Sequence, residues 1–136
     1  MIQLLGVRFL SMMHVPLWFP YIGCGLVVIG TGMCILARYA LHTNWTGAAE
    51  YQIKNKHTLI THGIYQYIRH PIYAGMGIAF IGSEMVVGSY LFISMFAFFI
   101  VAYVQGKREE KLLIAHFGNK YTDYMKHSKM LVPFIF

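Results

Sequence analysis

Between positions 61 and 75 the chain reads Thr-His-Gly-Ile-Tyr-Gln-Tyr-Ile-Arg-His-Pro-Ile-Tyr-Ala-Gly. This stretch gathers His62, Tyr65, Tyr67, Arg69, His70 and Tyr73 directly ahead of the longest charge-poor run in the sequence, and an acidic pair, Glu109 and Glu110, follows that run. Such groups can hold a small charged molecule. A carboxylate pairs with an ammonium, Arg or His holds a carboxylate, and aromatic or aliphatic walls take a flat heterocycle. His62, His70 and Glu110 are also the groups available to move a proton. Pro71 suits the first turn of a helix, where its missing N–H is not needed and its φ is already helical. The Arg-His-Pro triplet therefore stands where the chain enters an apolar helix, a depth at which ionisable groups are costly and usually functional.

The elements that must position these groups read as membrane helices. The 136 residues leave room for one domain, 1–136. Hydrophobic residues make up 57% and charged residues 12%, against roughly 25% charged in soluble domains. Mean hydropathy is +0.54. The net charge of +6 does not point to nucleic acid, because the basic residues flank apolar runs rather than lining one polar face. Cys24 and Cys34 match no metal-ligand spacing and read as packing residues. The N-terminus lacks the basic start and small-residue cleavage site of a signal peptide, and no lipidation motif is visible. No Gly-x-Gly-x-x-Gly marks a soluble dinucleotide fold.

The pattern predicts an all-α integral membrane bundle with spans near 17–41, 71–88 and 89–106, the last two forming a hairpin that turns at Gly88-Ser89. Residues 1–14 read as an interfacial stub or the remnant of a further helix, and Trp45 as an interfacial anchor in a surface turn. Gly23, Val27, Gly30 and Cys34 share one helix face, and Gly75, Ala79 and Gly82 share another, which suits close helix packing. Glu84 falls near the far interface. From Lys107 to Tyr124 the sequence is amphipathic, with Gly118 as a helix stop and Tyr121 meeting Tyr124 across a short turn. This cytoplasmic C-terminal helix is expected to fold back over the 57–73 segment. Lys and Arg number one before the first span, four from Arg38 to Arg69, none at the Gly88 turn and six from Lys107 to Lys129. The positive-inside rule puts the central motif and the C-terminal segment together on the cytoplasmic side.

Arg69-His70-Pro71-Ile72-Tyr73, then Glu109-Glu110, then Phe117-Gly118 and Tyr121, resembles the isoprenylcysteine carboxyl methyltransferase family and, more distantly, the membrane phospholipid methyltransferases. The resemblance runs from about Gly23 to Phe136. It implies S-adenosylmethionine as the methyl donor and a lipophilic acceptor drawn from the membrane lipids or a prenylated chain. It also implies that His57, Thr58, Leu59 and Ile60, then Tyr65, then His70, Pro71, Ile72 and Tyr73, together with Glu109, contact the donor. Arg69, His70 and Glu110 are the expected catalytic groups, and Gln105 and Arg108 the expected acceptor contacts. No metal is implied. Eukaryotic members carry an Arg where this chain has Gln105.

An isoprenylcysteine-like carboxylate is the favoured acceptor, with a phosphatidylethanolamine-type amine as the alternative. A non-catalytic helical membrane subunit would tolerate the same packing faces but has no use for the clustered polar groups. Related sterol reductases usually place an acidic residue after Tyr-x-Gly, where this chain has Met76.

Overall fold

The computed structural model describes residues 15–41, 58–88 and 94–131. The expectations for 1–14, Trp45, His57 and Ser89 lie outside these residues. Among them the chain is all-helical apart from one isolated parallel bridge, Ile68 to Lys129. Helix α1 is Phe19–Leu41, a one-turn 3-10 helix is Gly63–Gln66, α2 is Pro71–Val87, α3 is Ser94–Phe117 and α4 is Asn119–His127.

Each boundary has a local cause. α1 starts beside Pro16 and Pro20, within its first turn, where a missing N–H costs nothing. Pro71 opens α2 at the N1 position, and Gly88 closes it in the left-handed region at φ 63°. Gly118, at φ 57°, separates α3 from α4. α3 differs from expectation. It does not end near 106 but continues unbroken through Lys107 to Phe117, because Lys, Arg, Glu and Leu all favour helix and nothing there breaks it.

α1 and α2 pack backbone against backbone along the two small-residue faces. A Cβ built on Gly30 would stand 2.5 Å from the Gly75 carbonyl and 2.5 Å from the Ala79 nitrogen. One on Gly82 would stand 2.5 Å from the Gly23 carbonyl. Only glycine permits that approach. The outward face of α1 leaves Tyr21, Val28, Leu36 and Tyr39 exposed, and α3 does the same with Phe96, Ile100 and Val101. Phe19–Leu41 is long and apolar enough to cross a membrane, with 11% of its most apolar window buried in the protein.

The core gathers at one end of this bundle instead. Tyr65, Ile68, His70, Glu110, Tyr121, Ser128 and Met130 are all buried there. Residues 128–130 run beside 67–70 as a strap: Lys129 N donates to the Tyr67 carbonyl at 2.9 Å, Arg69 N to the Lys129 carbonyl at 2.8 Å, and His70 N to the Met130 carbonyl at 3.1 Å. Tyr124 Oη donates to the Tyr65 carbonyl at 2.5 Å. The last helix is thus folded over the Arg-His-Pro segment.

Candidate active site

His70 is the last residue before α2, and the fold meets all its backbone hydrogen bonds locally: its N–H reaches the strap, and its carbonyl accepts from Ala74 N at 3.2 Å. The imidazole is buried, stacked on Tyr73 one turn later with ring centres 5.7 Å apart. Its Nδ1 lies 3.3 Å from Glu109 Oε2, and its Nε2 lies 3.6 Å from Glu110 Oε1. Tyr73 Oη donates to Glu109 Oε1 at 2.5 Å. Glu109 therefore has a partner on each oxygen, yet its side chain keeps 29% exposure. It is the acid of this cluster that solvent or a ligand can reach.

Glu110 is its opposite. At 3% side-chain exposure it accepts from Arg69 Nε at 2.7 Å and from Lys107 Nζ at 3.2 Å. Burial opposes its charge, but the nearby His70 ring, the hydrogen bond and charge of Arg69 and the Lys107 ammonium outweigh it and hold the carboxyl down at about 2. Arg69 in turn donates through Nη1 to the Ser128 carbonyl, and to the Met125 carbonyl at 3.4 Å. Arg69 and Glu110, expected as catalytic groups, are engaged with one another in this geometry. Arg69 is also bound to the strap and Glu110 to Lys107, and a carboxylate held near 2 is a poor base. They act as a tie between the motif, α3 and the C-terminal segment.

For His70, burial disfavours the charged ring, but the nearby carboxylates of Glu109 and Glu110 prevail and raise it above its ordinary value. The two shifts have opposite signs in their effect on stability. Glu110's contribution is full above its ordinary 4.5 and fades as pH falls toward about 2. His70's contribution is full below its ordinary 6.5 and fades as pH rises through its raised value. Thermal unfolding in detergent should accordingly show highest stability between those ordinary values, falling on both sides. A profile that is flat on both sides would contradict these assignments.

The other expected donor contacts form a second group. Thr58, Leu59, Ile60 and Tyr65 line a cleft of about 110 Å³ closed by Leu113 and Phe117 of α3 and by Tyr121 and Tyr124 of α4. Tyr121 and Tyr124 meet edge to face at 5.7 Å. Burial raises both phenols, Tyr124 to about 12. They are therefore neutral walls. Arg69 also borders this cleft. Pro71 is fully buried, and the Ile72 carbonyl accepts from Cys34 Sγ at 3.5 Å, against α1. Gln105 is half-buried one turn before Glu109, on the same side of α3, while Arg108 is exposed. His62 stands exposed at the head of the 3-10 turn. Sequence reasoning missed Lys107 as a partner of Glu110 and missed the strap, which is held mainly by main-chain groups and leaves little mark in side-chain pattern. The described residues hold no cluster of His, Cys, Asp or Glu suited to a metal.

A helical bundle carrying this cluster at one end matches known methyltransferases. A solved structure of a eukaryotic intramembrane Ras methyltransferase, isoprenylcysteine carboxyl methyltransferase, superposes with a TM-score of 0.80 at 27% identity, covering 87% of this chain and 43% of that one. In sequence, a probable protein-S-isoprenylcysteine O-methyltransferase of Oryza sativa subsp. indica is 33% identical over 123 residues, which are 87% of this chain and 63% of that protein. Protein-S-isoprenylcysteine O-methyltransferase of Tribolium castaneum is 28% identical over 122 residues, 87% of this chain and 43% of that protein. The chain thus spans only part of the length of these relatives. The phospholipid methyltransferase family matches residues 18–120. The chain belongs to that family, and the relatives named here are isoprenylcysteine methyltransferases to which it is similar.

Proposed function

We propose that this chain is an integral membrane methyltransferase that moves a methyl group from S-adenosylmethionine to a lipophilic carboxylate of the isoprenylcysteine type. When bound, the donor supplies an electrophilic methyl on a sulfonium. The residues present fit it: Glu109, reachable and fixed by Tyr73 and His70, is the partner an ammonium needs. The aromatic cleft by Thr58, Leu59, Ile60 and Tyr65 suits a purine. Orientation of two reactants can be worth about 7–11 kcal/mol, so positioning and exclusion of water are the chain's main contributions.

The observation that favours a carboxylate acceptor is the state of the acid–base groups. Glu110 is held ionised by Arg69 and Lys107, and the Glu109 and Glu110 carboxylates favour the charged form of His70. Glu110 is therefore a poor proton acceptor. A carboxylate, with a pKa of about 3.5, arrives ionised and needs no base, whereas an amine near 10 must first lose a proton. Gln105 can donate to such a carboxylate, without the bidentate charge of an Arg. That weaker contact favours, as a second reading, a phosphatidylethanolamine-type amine. Transfer of labelled methyl from S-adenosylmethionine to a farnesylated cysteine separates the two. The expected product is a base-labile methyl ester, formed at a rate nearly flat with pH above about 5. A base-stable product whose rate climbs into the alkaline range would favour the amine.

The proposed topology has three crossings, by α1, α2 and the apolar start of α3, with the cluster and α4 at the cytoplasmic face. At 17 residues α2 is roughly 25 Å long, the short end for a hydrocarbon core of about 30 Å. The rest of α3 rises out of the membrane to carry Glu109 and Glu110. Cysteines placed singly at positions 55 and 120 should react with an impermeant reagent from the same side. Labelling from opposite sides would overturn this topology.

A further inference from the structure

We infer that Met130 is a positioning residue for the methyl-donor site: its side chain, seated over Gly106, fixes the rotation of the His70 ring that aims Nδ1 at Glu109. The inference rests on the donor-site reading above. Of the two ring nitrogens, Nδ1 has Glu109 Oε2 at 3.3 Å, while Nε2 is fully buried and makes no hydrogen bond, the Glu110 oxygen standing off at 3.6 Å. The Nε2 edge is therefore held by packing rather than by a hydrogen bond, which leaves the rotation about the Cβ–Cγ bond to the Nδ1 contact and to the ring's neighbours. One wall is Tyr73, stacked on the ring. The other is built on α3. A Cβ placed on Gly106 would lie 2.6 Å from Met130 Cε and 3.2 Å from His70 Nε2, so methionine methyl and imidazole edge meet over the same missing side chain. Met130 is 4% exposed, and its backbone is in the strap, where its carbonyl accepts from the His70 N–H at 3.1 Å. The same strap residue thus holds the His70 backbone in register and brings its methyl to the Gly106 surface that the ring edge also meets.

The test titrates the full chain in detergent with S-adenosylmethionine and follows thermal unfolding in parallel. Met130→Ala should weaken binding roughly tenfold, a misplacement effect rather than a lost contact. Met130→Leu, which keeps the bulk, should restore most of the affinity. Gly106→Ala should weaken binding comparably, because the new methyl displaces Met130 and crowds the ring; it alone decides if Met130→Ala does not fold. In a Glu109→Gln background the Met130→Ala effect should largely vanish, since the ring would no longer be aiming at a charge. Parent-like binding by Met130→Ala or by folded Gly106→Ala would overturn the inference, as would a loss that adds in full to that of Glu109→Gln. Absence of donor binding by the parent protein would instead overturn the donor-site reading itself, and the inference with it.

Discussion

Arg69→Ala is expected to destabilise the protein by about 3–5 kcal/mol, the usual cost of removing one partner from a buried ion pair. Glu110 would remain at 3% exposure without its 2.7 Å partner, leaving Lys107 as its nearest strong donor. The strap would also lose the guanidinium contact to the Ser128 carbonyl, and α4 that to the Met125 carbonyl. Arg69→Lys should rescue little, because a single ammonium cannot reproduce a planar fork that serves a carboxylate and two carbonyls. Arg69→Met combined with Glu110→Leu should regain part of the loss, since no uncompensated charge would be left in the core. The measurement is thermal unfolding of the detergent-solubilised variants. An Arg69→Ala midpoint equal to that of the parent would show that the tie carries no stability.

Glu109→Gln is expected to weaken S-adenosylmethionine binding roughly tenfold or more, the value of a hydrogen bond to a charged group. The amide can still accept from Tyr73 but offers no charge to an ammonium. S-adenosylhomocysteine has the same amino-acid end, so its affinity should fall by the same factor. Stability should change far less than in Arg69→Ala, because Glu109 is partly exposed and outside the buried tie. Unchanged affinity in a folded Glu109→Gln variant would mean that the ammonium finds its partner elsewhere. Glu110, already bound by Arg69 and Lys107, is a poor substitute.

Much of this was legible in the sequence because the signals were local. Pro71 and Gly88 mark the ends of α2, and Gly118 ends α3, each through backbone geometry alone. The small-residue faces of α1 and α2 follow helical spacing, and they do meet. What sequence could not resolve depends on rotation and on main-chain pairing. Glu109 and Glu110 are chemically alike and adjacent, and a turn of about 100° per residue decides which is buried against Arg69. Nothing in the acidic pair itself sets that rotation. It comes instead from α3 continuing past Gln105, where the pattern of hydrophobicity changes but the helix does not. The strap from Ser128 to Met130 was hidden for a related reason. Its bonds to Tyr67, Arg69 and His70 use backbone groups that every residue has.

On the function proposed above, the Glu109–His70–Tyr73 cluster and its neighbouring cleft form a site for a methyl donor. Calorimetric titration of the purified full chain with S-adenosylmethionine tests it most directly. Saturable binding of one donor per chain, competed by S-adenosylhomocysteine and weakened in Glu109→Gln, is the expected result. Absence of binding to folded protein, or binding that Glu109→Gln leaves unchanged, would contradict it.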